Sequence, residues 1–208
     1  MSLKEFEAHL RDPKPGFRCY STRDKSDYHE FLAQVKNRVS ARATETDFAT
    51  VAKQFGKTSP SFVEFFKLHD GVVLYCDLKS DTAGVEFFPV QEWSAKTREM
   101  RDEVAAMGFD EGDMPDWYHS GIVFGEIPHS GNYFSIQPGG SSAGQIFYFD
   151  HDDFRTEPMA ESFDQFLAAI ISDPPGFLYE CGCFARYSDS KTDIQWIPKA
   201  YLANCSGS

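Results

Sequence analysis

The sequence predicts an α+β fold: a single domain with a mainly antiparallel sheet of about four to six strands and helices packed against it. Three short aromatic and β-branched runs lie between Ile122 and Phe149, each bounded by Gly, Pro, Asn or Ser, as antiparallel strands are. An apolar stripe at helical spacing then runs from Phe163 to Ile171, and Ser162 with Gln165 forms a capping box at its start. The chain has 208 residues, of which 41% are hydrophobic, so it can bury a substantial core.

Helical patterns precede Gly71. The first carries Leu3, Phe6 and Leu10 and stops at the Pro- and Gly-rich segment 12–16. A second helix is expected from about Asp27 to Val39, because one stripe of apolar residues repeats at helical spacing. The residues of that stripe are Tyr28, Phe31, Leu32, Val35 and Val39.

A polar linker, residues 40–46, separates these from two further helices. The third is a short helix in which Phe48, Val51, Ala52 and Phe55 are in phase, with Gly56 at its C-terminal end. The fourth has Ser59 as a natural N-cap and Pro60 as its first residue, and it ends near Gly71, which suits a left-handed conformation. Its shared face consists of Phe62, Phe65, Phe66 and His69.

The middle of the chain alternates between strands and helices. Strands are expected at Val72–Leu78 and Val85–Phe88, and an amphipathic helix is expected from Trp93 to Met107. An acidic loop, residues 109–117, leads into the three strands named above. We expect the last of these, residues 146–149, to be a central strand, because apolar residues fall on both of its faces.

The C-terminal part begins where the helix of Phe163 ends. Asp173-Pro174-Pro175-Gly176 stops that helix, since proline cannot supply the next helical N–H group. Residues 177–187 are expected to form a strand pair or an irregular arm. Residues 196–202 should pack back on the body, because Trp196 and Tyr201 carry large aromatic side chains.

The net charge of −12 is concentrated in one region. Ten carboxylates and no Lys or Arg lie between Asp102 and Phe154. This charge argues against direct binding of DNA or RNA, which requires basic groups on phosphates. It suits either a basic protein partner or a purely solubilising role.

The chain carries no signal for export or membrane insertion in its sequence. The N-terminus lacks the apolar core of a signal peptide, and no segment approaches 18 consecutive apolar residues. The five cysteines (Cys19, Cys76, Cys181, Cys183 and Cys205) are an odd, scattered set. We therefore expect a cytoplasmic protein with free thiols and no membrane partner.

The glycine-rich segment 139–144 fits two catalytic motifs only in part. Residues 140–144 read G-x-S-x-G, but a nucleophile elbow needs a helix after it and an acid and a histidine downstream. The same glycines resemble a phosphate loop that lacks its Lys and its helix. The simpler interpretation is a hairpin loop in which glycine supplies positive φ. No enzymatic activity and no cofactor are expected.

Three further clusters could bind metal or do acid–base chemistry. The run Asp150-His151-Asp152-Asp153 offers hard ligands but lacks the glycine and the bidentate glutamate of an EF-hand. Cys181 and Cys183 could join Cys205 or a histidine around zinc, although a structural zinc site requires four ligands and no second close pair of cysteines exists. His69 is expected to be a helix-end residue rather than a base. The simpler interpretations, a solvated strand end and free thiols, predict no metal site.

Two stretches resemble the SUKH superfamily, which groups bacterial immunity proteins with fungal cell-wall (glucan) synthesis regulators. The first is residues 55–71, which begin with Phe55-Gly56 and end with the run Pro-Ser-Phe-Val-Glu-Phe-Phe-Lys-Leu-His-Asp-Gly, residues 60–71. The second combines Gly-Gln-Ile-Phe-Tyr-Phe-Asp-His-Asp, residues 144–152, with Met-Ala-Glu-Ser-Phe-Asp-Gln-Phe-Leu, residues 159–167. Thr58-Ser59 stands where the family has Leu before the proline, and Val72 stands where a second Gly is common.

The resemblance implies an α+β core over residues 43–172, no catalysis and binding to proteins. It divides the chain into an N-terminal helical extension (residues 1–42), the SUKH-like core and a C-terminal arm (residues 173–208) that packs on the core. Many bacterial members are thought to neutralise toxins, often nucleases, delivered by neighbouring cells. The alternative within the family is a regulatory scaffold of the cell-wall synthesis type.

We therefore expect a cytoplasmic, non-catalytic protein-binding module, most simply an immunity protein that neutralises a basic toxin domain. After the regulatory scaffold, a hydrolase acting at residues 139–144 is a remote third option. Clustered carboxylates raise the rate of encounter with a basic protein, and aromatic side chains anchor interfaces. The expected contact residues are Asp110, Glu111, Asp113, Asp116, Trp117, Tyr118, Asp150, Asp152 and Asp153.

Overall fold

The computed structural model describes residues 3–11, 16–21, 30–110, 112, 114–152, 155–182 and 196–198. Its helices are α1 (Leu3–Arg11), α2 (Glu45–Phe55), α3 (Pro60–Leu68), α4 (Trp93–Ala106), α5 (Asp116–Ser120), α6 (Phe163–Ser172) and α7 (Pro174–Glu180). Its strands are β1 (Phe17–Ser21), β2 (Glu30–Ala33), β3 (Val35–Val39), β4 (Val72–Asp77), β5 (Val85–Phe87), β6 (Ile122–Ile127), β7 (Asn132–Ile136), β8 (Ile146–Phe149) and β9 (Trp196–Pro198). A short 3₁₀ helix, Val90–Glu92, precedes α4.

The main sheet has six antiparallel strands in the order β3-β4-β5-β6-β7-β8, and a second, three-stranded sheet has the order β2-β1-β9. The fold is therefore α+β, as predicted. The helix expected from about Asp27 to Val39 is wrong for residues 30–39, which form β2 and β3, while residues 27–29 lie outside the described residues. Phe31, Ala33 and Val35 alternate with exposed neighbours, so this segment fits a period of two as well as the helical period. Pairing of β2 with β1 and of β3 with β4 selects the strand.

The strand β8 lies at the edge of the main sheet, so the prediction that it is central is wrong. All four of its residues are nevertheless buried. Helices cover both faces, and its outer edge is closed at Ile146, whose N–H donates to Ala160 O at 2.9 Å and whose C=O accepts from Met159 N at 2.8 Å. Burial on two faces therefore does not imply a central position in the sheet, because an irregular segment can close the edge.

The helices predicted for residues 3–10, 48–55 and 60–68 are confirmed as α1, α2 and α3. Thr44 is the N-cap of α2, and its hydroxyl accepts a hydrogen bond from Asp47 N. Ser59 and Pro60 take the positions expected at the start of α3, although the Ser59 side chain makes no capping hydrogen bond. Gly71 has the predicted positive φ, at 103°.

The helix α4 confirms the predicted stripe of Trp93, Thr97, Met100 and Val104, all of which are buried. Met107, which the stripe also included, follows the end of the helix and is 45% exposed. The short helix α5 was not predicted, because its five residues are too few to show a period. They had been assigned to the acidic loop and to the entry into β6.

The C-terminal part is more helical than the sequence indicated. The capping box of α6 is present: Gln165 N donates to Ser162 Oγ at 3.3 Å, and Glu161 N donates to Gln165 Oε1 at 3.2 Å. The proline pair ends α6 and also starts α7, with Asp173 as the N-cap, so the arm expected from residue 177 is wrong for residues 177–180. Residues 183–187 lie outside the described residues. The strand β9 pairs with β1, which agrees with the expected packing for residues 196–198, while residues 199–202 lie outside the described residues.

The core is an aromatic cluster between the main sheet and the helices α3 and α6. Phe62 of α3 lies at its centre and is fully buried. Its ring centroid is 5.3 Å from that of Phe124 on β6 and 5.0 Å from that of Phe163 on α6. Most of the described phenylalanines belong to the buried core.

Cys19, Cys76 and Cys181 are buried free thiols, as predicted, while Cys183 and Cys205 lie outside the described residues. Burial raises the pKa of Cys19 to about 12, so its thiol stays protonated at neutral pH. Within the described ranges, none of the helices combines the length and the hydropathy needed to cross a membrane.

Candidate protein-binding surface

The acidic loop and the start of α5 carry exposed carboxylates. Asp110 is exposed, and its Oδ1 accepts a hydrogen bond from Gly112 N at 2.9 Å. Asp116 is exposed at the first position of α5, where a negative charge interacts favourably with the helix N-terminus. Glu111 and Asp113 lie outside the described residues. Asp110 and Asp116 are therefore the described carboxylates of this loop that a partner could contact.

Trp117 and Tyr118, expected as anchors for a partner, are core residues in the structure. They are 4% and 1% exposed. The Trp117 ring stacks on Phe147 of β8 at 5.4 Å, and its Nε1 donates to Arg155 O at 3.0 Å. The sequence showed that these side chains are large and aromatic, but it did not show whether they face the core or the solvent. We leave both out of the proposed contact surface.

The acidic tip, residues 150–153, follows β8. Asp150 is half-buried, and its Oδ1 accepts from Asp152 N at 3.1 Å. The side chain of Asp152 is 84% exposed. His151 Nε2 lies 3.4 Å from Asp152 Oδ2. Asp153 lies outside the described residues. The tip thus presents one fully accessible carboxylate and one that also shapes the turn.

A buried amide, which sequence reasoning missed, holds this tip in place. Asn132, at the start of β7, is 3% exposed. Its Oδ1 accepts from His151 N at 3.1 Å and from His151 Nδ1 at 2.7 Å. Its Nδ2 donates to Tyr148 Oη at 2.7 Å, and the Tyr148 hydroxyl donates to Cys181 O at 2.8 Å. Burial raises the pKa of Tyr148, so this hydroxyl remains a donor at every physiological pH.

Replacing Asn132 by alanine should lower the free energy of unfolding by about 2–3 kcal/mol, because it leaves several buried polar groups without a partner. Urea denaturation measures this change. Tyr148→Phe is the matched variant, since it keeps the ring and removes one hydroxyl, and we expect it to cost about 1 kcal/mol. Amide exchange at His151 should accelerate in Asn132→Ala. An unchanged stability would contradict the role assigned to Asn132.

Two contacts bring the acidic segments toward one edge of the sheet. The hydrogen bond from Trp117 to Arg155 places the start of α5 beside the chain that leaves the acidic tip. On the other side, Tyr133 Oη donates to Glu103 Oε1 at 3.1 Å, and the Tyr133 ring lies 6.1 Å from that of Phe149. The end of α4 thus contacts β7, and the start of α5 contacts both β8 and Arg155, which follows the tip.

Not every carboxylate of the Asp102–Phe154 stretch belongs to this region. Glu126 of β6 lies opposite Glu86 of β5 and points away toward Lys96, with Oε2 and Nζ 3.5 Å apart. Burial is the main cause that raises the pKa of both Glu86 and Glu126. Lys96 precedes the acidic stretch in the sequence, yet in the folded chain its ammonium group lies close to the carboxylate of Glu126.

Replacing Glu86 by glutamine should stabilise the protein at neutral pH by about 0.5 kcal/mol, a value discounted because the side chain is partly solvated. Burial raises the pKa of Glu86 in the folded state above its ordinary value. The wild-type protein therefore loses stability as the pH rises from the ordinary carboxyl pKa through the raised pKa of Glu86. The gain in the free energy of unfolding should therefore be complete at neutral pH. It should vanish below the ordinary carboxyl pKa, where Glu86 of the wild type is as neutral as the glutamine of the variant. Thermal melts across this pH range measure it, with Glu64→Gln, at an exposed site, as control.

Two apolar side chains in the acidic loop region were not predicted as contact residues. Met107 and Phe109 are 45% and 47% exposed, next to Asp110 and in the connection between α4 and α5. An exposed apolar residue surrounded by carboxylates is a better anchor for a partner than a buried tryptophan. The position of these residues near the end of the α4 stripe could have indicated their exposure. The helical period instead places Met107 on the buried face of α4.

The glycine-rich segment is a hairpin loop between β7 and β8, as the simpler interpretation predicted. Gly144 N donates to Gln137 O at 2.9 Å, and Gly140 and Gly144 have φ values of 78° and 85°. A strand follows Ser142 rather than a helix, and His151 lies at the opposite end of that strand. The geometry of a nucleophile elbow is absent from this segment.

The remaining candidate sites are the acidic tip, His69 and the cysteines. Ligand atoms of Asp150, His151 and Asp152 lie within 4.8 Å of one another, a spacing that could hold an ion and that exposed acidic groups also adopt without one. His69 is half-buried at the end of α3, with Nε2 3.7 Å from Glu7 Oε1, and burial lowers its pKa. The proposed zinc ligands Cys183 and Cys205 lie outside the described residues.

Comparison with known proteins gives one family. The sequence model of the SMI1 / KNR4 family (SUKH-1) matches residues 42–169, more than half of the chain. This range contains α2 to α5, the strands β4 to β8 and the part of α6 up to residue 169. No curated protein sequence matches the chain.

Proposed function

The chain belongs to the SMI1/KNR4 (SUKH-1) family, and from this membership we propose that it is a cytoplasmic immunity protein that neutralises a basic toxin domain. Proteins of this family are generally non-catalytic immunity or regulatory proteins that interact with protein partners. Family membership thus supports a binding module in general. The basic character of the partner is our inference from the charge of this chain.

The observation that supports the proposal is the set of accessible carboxylates near β7 and β8, which we call the acidic rim. We define it by its described and exposed carboxylates, Asp110, Asp116 and Asp152, together with half-buried Asp150. Glu111, Asp113 and Asp153 join it on sequence grounds alone. Exposed carboxylates attract a basic surface over about a Debye length, roughly 8 Å at physiological salt, and so raise the rate of encounter.

Met107 and Phe109 complete the proposed surface. Charged rim residues set the rate and orientation of encounter, while a desolvated apolar centre supplies most of the affinity. The two exposed side chains stand between the acidic loop and the end of α4, where a partner held by the rim would cover them. This arrangement favours a protein partner over a small basic ligand.

The test is protection of a cell from a toxin domain. The gene beside the one for this chain is examined for a large secreted toxin, and the basic toxin domain is expressed with and without this protein. We expect growth to be restored only when both are present, and the purified pair should form a complex that high salt weakens. Toxicity that persists in the presence of a folded, expressed protein contradicts the immunity function.

The alternative is a regulatory scaffold of the cell-wall synthesis type, which would bind endogenous proteins and confer no protection. Affinity capture from source cells at low and moderate salt separates the two: a single basic toxin domain favours immunity, and a set of cell-wall or signalling proteins favours the scaffold. A hydrolase at residues 139–144 is a remote option. Any hydrolase activity that survives in Ser142→Ala would exclude that residue as its nucleophile.

A further inference from the structure

A polar cleft lies on the side of α4 that faces α2. Its volume is about 430 Å³, which is within the range of small-molecule sites. The C-terminal end of α5 and the first residue of β6 close its other side. The lining residues whose side chains carry the argument are Gln54, Ser94, Arg98, Arg101 and Ser120, above an apolar floor that includes Trp93.

Helical spacing aligns the polar groups of this cleft. Ser94, Arg98 and Arg101 occupy positions i, i+4 and i+7 of α4, so they share one face. None of the residues that line the cleft is Asp or Glu. Two arginines therefore line one cleft in a chain whose net charge is −12. The acidic rim and this cleft are separate features, since none of the rim carboxylates lines the cleft.

The structure leaves much of the donor capacity of this cleft unused. Arg101 Nη2 donates to the carbonyl oxygens of Tyr118 at 3.3 Å and His119 at 2.8 Å, which are neutral acceptors. Its Nε is buried without an acceptor in the described part of the chain. Arg98 is exposed and has no ion pair within the described ranges, although Asp102 lies four residues further along α4. In contrast, Lys96 on another face of α4 is within 3.2 Å of Glu99 Oε2.

We infer that this cleft, the α4 cleft, binds an oxyanion, a phosphoryl or carboxylate group, carried by a small molecule with an apolar part. Guanidinium groups bind both oxyanions in a bidentate manner, and Ser94 and Gln54 add neutral donors. The apolar floor formed by Val90, Trp93 and Ile122 would contact the rest of the ligand. The inference is independent of the proposed toxin partner, because it uses no residue of the acidic rim.

The test is a titration of the full-length chain, followed by NMR, with phenyl phosphate, benzoate and inorganic phosphate, and with benzyl alcohol as the uncharged control. We expect phenyl phosphate or benzoate to shift the amide signals of Ser94, Gly121 and Ile122 in a saturable way, while benzyl alcohol does not. Comparison of the two aromatic anions separates a phosphoryl site from a carboxylate site.

Two variants and a matched control make the result specific. Arg98→Gln should weaken binding about tenfold, because it removes a charge-assisted hydrogen-bond donor and breaks no ion pair seen between described residues. Asp102→Asn should strengthen binding, since it removes the nearest competing carboxylate on α4. Lys79→Gln changes the net charge by the same amount as Arg98→Gln but lies in the turn after β4, and should bind like wild type. Absence of saturable shifts with any anion, or equal weakening in Lys79→Gln, overturns the inference.

Discussion

Association with a basic partner should slow by about 10- to 100-fold when Asp110, Asp116 and Asp152 are all replaced by lysine. These three carboxylates are exposed, so their charges act on a partner before contact is made. Reversal turns local attraction into repulsion and affects the association rate more than the dissociation rate. Stopped-flow measurement of association with the identified partner tests this expectation at low and moderate salt.

The control for this experiment reverses three exposed carboxylates elsewhere, Glu45, Glu64 and Glu92. Both triple variants have the same net charge, so a general charge effect would slow them equally. We expect the control to retain most of the wild-type rate, and the difference between the two variants to shrink as salt screens the charges. Equal rates for the two variants would show that the rim does not steer the partner, whatever that partner is.

The largest effect on stability is expected at Phe62. Replacement by alanine should lower the free energy of unfolding by about 3–5 kcal/mol, because it removes a buried ring and leaves a cavity. The ring is fully buried and contacts aromatic rings on α2, α3, α4, β6 and α6, so the elements around it cannot all collapse into the space. Chemical denaturation with a fit for both midpoint and slope measures the loss.

Phe109→Ala is the matched control, since it deletes the same side chain at a site that is 47% exposed. We expect it to cost less than about 1 kcal/mol in stability. If Phe109 anchors the partner, the same variant should weaken binding while the fold is retained. A small loss for Phe62→Ala, comparable to that of Phe109→Ala, would mean that the core does not pack around Phe62 as the structure shows.

Local patterns were sufficient where one segment carries its own signal. The stripe and the capping box of α6 predicted both its position and its start, because both are properties of contiguous residues. The breaks at Pro128 and at the glycine-rich segment likewise separated β6, β7 and β8 correctly. The family resemblance was found for the same reason, since its motifs are short local runs of residues.

Local patterns were insufficient where two periods fit one segment. Phe31 and Val35 satisfy both a helical stripe and a strand alternation, and only pairing with β1 and β4 decides between them. The acidic surface shows the same limit for charge. Glu126 and Asp152 belong to one carboxylate-rich stretch of sequence, yet one lies near Lys96 and the other is solvated at the tip.

The sequence by itself determined the fold class, the family and the negative sign of the net charge. These follow from composition, hydrophobic period and short motifs, which do not depend on what lies nearby in space. Only the tertiary structure decided that Trp117 and Tyr118 are core residues, that Asn132 holds the acidic tip and that two arginines share a cleft with no carboxylate. Burial, buried hydrogen bonds and local potential depend on distances between segments far apart in sequence, and packing of the sheet and helices determines those distances.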